Sequence, residues 1–161
     1  LEKKLESKVV NININGKDFE KSISSNLLLI DFIREEIKLT GSHIGCDTNQ
    51  CGCCMVLSNH ISLKSCSVLA IQMDGAKITT IEGISDGDAL HPMQESFREH
   101  HGLQCGFCTP GMIISAISLV NENSSPSEED IREYLEGNFC RCTGYENIVK
   151  SIFAGAEKMK G

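Results

Sequence analysis

Tryptophan is absent from these 161 residues, and there are only two tyrosines and six phenylalanines. A core here must rest on Ile, Leu, Val and Met, with room for reinforcement by something other than side chains. Basic clustering is missing too. The formal charge is −7, and no Lys/Arg stripe supplies the footprint of a nucleic-acid binder. Segments such as EKKLESK and REE read as solvated surface. No run approaches the ~18 apolar residues that span a bilayer, so the chain is not read as transmembrane. The opening LEKKLESKVV is charged where an export signal is apolar, which predicts a cytoplasmic location. Nucleophile–base pairs, phosphate loops and paired carboxylates are also missing, so no catalytic residue is assigned.

Cysteine is what the chain has in quantity: nine residues, four of them inside the nine-residue stretch CDTNQCGCC. An unexported chain keeps its thiols reduced, and an odd number leaves a remainder under any pairing. Metal ligation is therefore the default. Cys46-x4-Cys51-x2-Cys54, followed by Cys66 after eleven residues, has the spacing of a plant-type [2Fe–2S] site. Such a site takes three thiolates from one wrapped loop and the fourth from a separate element. Gly45 and Gly52 leave room for that wrap, and the loop's N–H groups offset cluster charge. A Cys₄ zinc site is the competing reading; the spacing favours iron–sulfur. Cys53 has no place in the pattern and reads as a small buried hydrophobe.

The second set, Cys105-x2-Cys108 and Cys140-x-Cys142, is split by thirty-one residues. Each pair precedes an expected helix start, where free N–H groups and the helix dipole favour thiolates. Spacing alone leaves zinc and iron–sulfur open here.

The length fits one ordinary domain or two small ones sharing an interface. Val10, Ile12 and Ile14 alternate as in a half-buried strand, Asn15-Gly16 signals a type I′ hairpin, and KDFEKSI returns. A helix over NLLLIDFIREEIKLTG is expected, capped by Ser25 or Asn26 and stopped at Gly41. Short strands follow at MVLSN, ISLKS and KITTIEG. Four helices are expected after Asp88. Pro92 and Gly102 bracket the first, and Thr109 caps the second with Pro110 at its first position. Ser127 with Asp130 opens the third, and a Thr143–Glu146 capping box the fourth. The fold class is α+β, with a boundary in ISDGDA that divides the chain into 1–84 and 85–161.

GCDTNQCGCC, QCGFCTPGM, SPSEEDI and GNFCRCTGY resemble the small iron–sulfur subunit of the molybdenum hydroxylases, the xanthine oxidase family. LTGSHIGCDT, the SLKSCSVLAIQMDG run and HGLQCGFCTPGM look most like the small chain of aerobic carbon monoxide dehydrogenase. The resemblance implies an N-terminal β-grasp, ferredoxin-like domain followed by a four-helix domain, each holding one [2Fe–2S] cluster. It assigns Cys46, Cys51, Cys54 and Cys66 to the outer cluster, and Cys105, Cys108, Cys140 and Cys142 to the inner one. Gln104 matches a glutamine near the pterin of the molybdenum cofactor, and Cys142 lies on the same cofactor-facing side. Electrons would pass from molybdenum on a large partner subunit, through both clusters, to FAD on a medium subunit, in a dimer of heterotrimers. The reaction implied is CO oxidation to CO2, with an N-heterocycle, purine or aldehyde hydroxylase as the alternative. CGCCM stands where the family usually reads CGACT, so Cys53 and Met55 change the surroundings of the outer site without removing a ligand.

The remaining polar residues read plainly. His100 and His101 are about 100° apart on a helix and suit its C-terminal dipole. His43, three residues before Cys46, would be a Rieske-type ligand only if a cysteine were missing. Arg141 offsets cluster charge or makes a surface ion pair, and Tyr145 packs in the last helix. A freestanding ferredoxin and a structural zinc module are the readings from other classes.

Overall fold

The computed structural model describes residues 6–160. The residues LEKKL, on which the absence of an export signal partly rests, and the outer ends of the two expected domains lie outside the described residues.

Strand β1 (Ser7–Ile14) pairs antiparallel with β2 (Lys17–Ser24). Val10, Ile12 and Ile14 point inward, none more than 1% exposed. Asn15 and Gly16 both take positive φ, 53° and 81°, the type I′ turn that matches strand twist. Strands β3 (Met55–Ser58), β4 (Ile61–Lys64) and β5 (Lys77–Thr79) complete a five-stranded sheet in the order β2-β1-β5-β3-β4. Among the described residues, only the β1–β5 pairing is parallel. The β3–β4 turn forms without glycine. Asn59 and His60 take φ of 49° and 73°, a region that Asn and His enter more readily than most residues.

The helix expected from Ser25 to Gly41 is not continuous. Leu28 is held extended by a bridge to Leu69, so Leu28 rather than Ser25 or Asn26 is the N-cap. One helical turn, α1 (Leu29–Asp31), then widens into a π-helix over Phe32–Glu36, where Ile37 N–H reaches the Phe32 carbonyl at 3.0 Å. Lys38, at φ 68°, ends it before Gly41. The Arg34 guanidinium donates to the Thr40 and Ser42 carbonyls at 2.8 and 2.7 Å, folding the chain back early. Leu29, Phe32 and Ile33 still join Val10, Ile12, Val56 and Ile78 in one hydrophobic core.

Helices α2 (Pro92–Glu99), α3 (Thr109–Glu122), α4 (Glu128–Tyr134) and α5 (Glu146–Met159) build a second core around Met93, Phe97, Met112, Ile114, Ile131 and Ile152. Gly111 to Val120 of α3 are buried without interruption, the mark of a central helix. Three starts match or shift. The Ser127–Asp130 capping box forms as expected. Thr109 lies inside α3 because Cys108 takes the N-cap position. At α5 the Thr143–Glu146 box does not form. Tyr145 is the N-cap at φ 69°, and its N–H is accepted by Thr143 Oγ1 at 3.1 Å. Glu146 is drawn away to Arg132 and Lys150.

The cores meet across the sheet. Val56 belongs to the first and its neighbour Leu57 to the second, as the two-residue alternation of a strand requires. Ser62 N–H donates to Ser118 Oγ of α3 at 2.9 Å. Among the described residues, no helix is long and apolar enough to cross a membrane.

Candidate metal centres

The loop from Cys46 to Cys54 leads into β3 and wraps around its own first thiol. Cys51 N–H donates to Cys46 Sγ at 3.5 Å. That amide, with those of Thr48 and Gln50, pulls the Cys46 thiol down to about 6, the direction expected when donors favour the charged form. The wrap is possible where side chains are missing. A Cβ on Gly45 would lie 3.0 Å from Cys51 Sγ and 3.1 Å from Cys53 Sγ. Gly52 has φ of 70°, and a Cβ there would strike the Gly137 carbonyl and the Asn138 side chain.

Cys66 comes from the short helical turn after β4. Burial foremost, then its hydrogen bond to Cys54, push its thiol up to about 12. Ser65 N–H and Oγ both donate to the Cys54 carbonyl, at 3.3 and 2.7 Å. Lys64 Nζ donates to the carbonyls of Asn49 and Gln50, at 2.9 and 3.3 Å, and clamps the loop from outside. Neither residue stands out in the sequence, because Lys and Ser are ordinary on a strand end. Cys46 and Cys66 line one cavity of about 300 Å³ with Leu28, Ile30, Ile44 and Asn49.

The second four come together from the N-terminus of α3 and the loop before α5. The Cys108 thiol is pushed up to about 12 by burial and by its hydrogen bond to Cys140. Burial opposes ionisation of Cys140 as well. The Thr143 hydroxyl and the N–H groups of Thr143 and Cys142 outweigh it and lower the thiol; Thr143 Oγ1 lies 3.2 Å from the sulfur. Cys142 is raised by a hydrogen bond to Cys105. Eight thiols pair as Cys46 with Cys51, Cys54 with Cys66, Cys105 with Cys142, and Cys108 with Cys140, and Cys51 also touches the ninth, Cys53. Among the described residues, no three Cys, His, Asp or Glu side chains converge on a single ion position. One tetrahedral zinc would need four thiolates on one point. A two-iron cluster shares four thiolates between two irons, and this pairing fits that group.

The two sets are joined. Phe139 N–H donates to the Cys51 carbonyl at 2.9 Å, and His43 N–H to the Cys53 carbonyl at 3.0 Å. The His43 ring stacks on Phe107, centroids 4.5 Å apart, with Nδ1 2.8 Å from the Phe107 carbonyl. His43 is therefore a brace between the loops, engaged away from the thiols. Cys53, 4% exposed, lies beside Cys46, Cys51 and Cys54 on one side and within reach of Cys108 on the other. Tyr145 does more than pack. Its hydroxyl accepts from Cys140 N–H at 2.9 Å and donates to the Asn138 carbonyl at 3.2 Å. Cys105 and Cys142 contact each other and are exposed, and so are their chain neighbours Leu103, Gln104, Phe139 and Arg141.

Residues 80–153 match the family described as "[2Fe-2S] binding domain". The small subunit of nicotine 6-hydroxylase of Paenarthrobacter nicotinovorans is 44% identical over 143 residues, 89% of this chain and 86% of that one. The iron-sulfur-binding subunit of aldehyde oxidoreductase of Escherichia coli (strain K12) is 40% identical, over 92% of this chain and 72% of its own. The crystal structure of quinoline 2-oxidoreductase from Pseudomonas putida 86 superimposes with a TM-score of 0.91 at 44% identity, covering 96% of both chains.

Proposed function

The chain belongs to the small iron–sulfur subunits of the molybdenum hydroxylases, and from that premise we propose that it conducts electrons between two partner subunits. One [2Fe–2S] cluster is held by Cys46, Cys51, Cys54 and Cys66, and a second by Cys105, Cys108, Cys140 and Cys142. When bound, such clusters supply one-electron carriers. The observation that carries the reading is the two-by-two contact of eight thiols in two groups.

The protein's own contribution is placement and charge. Loop amides around Cys46, and the Thr143 hydroxyl near Cys140, stabilise thiolate sulfur and set the reduction potential of each site, while Tyr145 fixes the Cys140 backbone. The exposed Cys105 and Cys142, with Gln104 next to Cys105 in the chain, suit the approach of a large subunit carrying molybdenum and its pterin. FAD on a medium subunit would accept the electrons. The sheet with its α1 turn and the helices after it support reading a β-grasp, ferredoxin-like domain over 1–84 and a helical domain over 85–161.

For the substrate, a likeness in three segments to carbon monoxide dehydrogenase competes with relatives named for nicotine, aldehyde and quinoline. Those names favour an N-heterocycle or an aldehyde as the molecule oxidised on the partner. The test is the visible spectrum of the purified native complex before and after each candidate, with dithionite as control. Bleaching by nicotine, quinoline or an aldehyde supports this reading. Bleaching by CO alone restores the carbon monoxide assignment, and absorbance that dithionite cannot bleach removes the clusters.

A further inference from the structure

The amides that surround Cys46 belong to peptide groups whose other ends face outward. Cys51 N–H donates to Cys46 Sγ at 3.5 Å, and Gln50 N–H donates to the same sulfur. Each N–H shares a planar trans peptide with the carbonyl of the residue before it, and the two point in opposite directions. Amides aimed inward at the sulfur therefore present the Asn49 and Gln50 carbonyls on the outer side of the loop. Asn49, at φ 57°, supplies the left-handed turn by which successive amides line one concavity. Lys64 Nζ gathers both carbonyls, at 2.9 and 3.3 Å.

This ammonium is placed by the sheet. Lys64 ends β4 opposite Met55, the residue that follows the loop. Gly137, in the helical half, flanks it; a Cβ there would lie 3.3 Å from Nζ. Among the described residues, no carboxylate lies within ion-pair distance of Lys64, so its charge is left to the two carbonyls. A cation on a carbonyl polarises the peptide and strengthens the hydrogen bond that the N–H at its other end donates. The loop is fixed independently of Lys64. Gly111 of α3 presses on the Gly52 carbonyl, where a Cβ would collide, and Asn138 Nδ2 reaches that carbonyl at 3.5 Å.

We propose that Lys64 is a positioning residue that sets the reduction potential of the first site, its charge relayed through two peptide groups to the Cys46 sulfur. The inference rests on the two-cluster reading above. Reduction adds one electron, and so one negative charge, to the cluster bound at Cys46; substrate oxidised on the partner subunit supplies that electron. Lys64 stabilises the reduced form over the oxidised one and so raises the potential.

The test compares the assembled complex carrying Lys64→Met with the wild type by titration with dithionite, each cluster followed by its visible and paramagnetic-resonance spectra. Iron and acid-labile sulfide content should be unchanged. Lys64 is half-buried and partly screened by water and salt, which holds the expected effect to about tenfold. The equilibrium constant for reducing the first cluster should fall by that factor, a downward shift of about 59 mV for one electron, and the second cluster should shift less. Lys64→Gln keeps hydrogen-bond donors without the charge and should match Lys64→Met, whereas Lys64→Arg should stay near the wild type. An unchanged first-cluster potential in Lys64→Met overturns the inference. A wild-type potential in Lys64→Gln does so too, because it would make Lys64 a clamp and not a charge. So does an equal shift in Lys77→Met, an exposed lysine beside the far end of β3, which would assign the effect to net charge. Should Lys64→Met fail to assemble, equal potentials in Lys64→Gln and Lys64→Arg overturn the inference. The two-cluster reading fails separately, if the wild-type complex itself holds zinc or iron for a single cluster.

Discussion

The two cysteine sets hold the same number of thiols in opposite ways. The first is built mainly from one continuous loop, whose own amides surround Cys46 and whose Cys51 and Cys54 are buried. The second is assembled across thirty-one residues from two helix approaches, leans on the Thr143 and Tyr145 side chains, and leaves Cys105 and Cys142 open to the surface. A site made locally needs only its loop and the strand behind it. A site made from distant segments needs the whole helical core to be in place first. The same thiolate chemistry can thus be supplied by backbone in one half and by tertiary packing in the other.

The comparison can be broken most completely at a thiol. Cys142→Ser should stop flavin reduction by substrate and remove one cluster's worth of iron, while the spectrum of the other persists. Normal flavin reduction in that variant would sink the ligand assignment. Next in size are truncations that hollow one core at a time. Phe97→Ala in the helical core and Phe32→Ala in the sheet core should each cost about 3–5 kcal/mol. Chemical denaturation, followed by cluster bleaching, should show the second cluster lost first in Phe97→Ala and the first cluster in Phe32→Ala. Simultaneous loss in both variants would mean that the cores unfold as one unit.

Acid should give the smallest effect and sharpen the contrast. Asp130 is held below the ordinary carboxylate range by the backbone N–H and the hydroxyl of Ser127. Glu99 is lowered by the Lys158 ammonium, and Glu146 by Arg132 and Lys150. Each folded value is depressed, so the stabilisation is full above the usual carboxylate range and is lost as pH falls through the folded value. These groups tie α2 to α5, accept from Ser127 at the start of α4 and link α4 to α5. Amide exchange in α4 and α5 should therefore rise on acidification before it rises in β1 and β2, and less so at high salt. Equal loosening of strands and helices would count against this.

Period and turn chemistry made the hairpin legible, because the alternation from Val10 to Ile14 and Asn15-Gly16 are decided within a few residues. The Ser127 cap was legible for the same reason. The α1 region was not. Its residues carry helical spacing, but the Leu28–Leu69 bridge and the reach of Arg34 to Thr40 and Ser42 fix its ends from outside. Tyr145 followed suit: its hydroxyl is engaged by Cys140 N–H and Asn138, and this leaves the chain left-handed where a Thr143 box was expected. Spacing separated the cysteines into the two groups that the structure brings together. The braces at Lys64, Ser65, His43 and Asn138 carry no such spacing, since each acts on a residue far away in sequence.

The contact of Gly111 with the Gly52 carbonyl, beside Asn138, bears on how such chains can be recombined. A hybrid that took its sheet half from one relative and its helical half from another would inherit the two faces of this contact from different parents. The exposed linker near residues 86–89 invites a crossover there, yet compatibility is written at positions 52, 111 and 138. A parent with alanine at position 111 could donate its helices only to a sheet half whose loop stands farther off. Exchange between relatives is then filtered at this contact, far from the sequence at the joint.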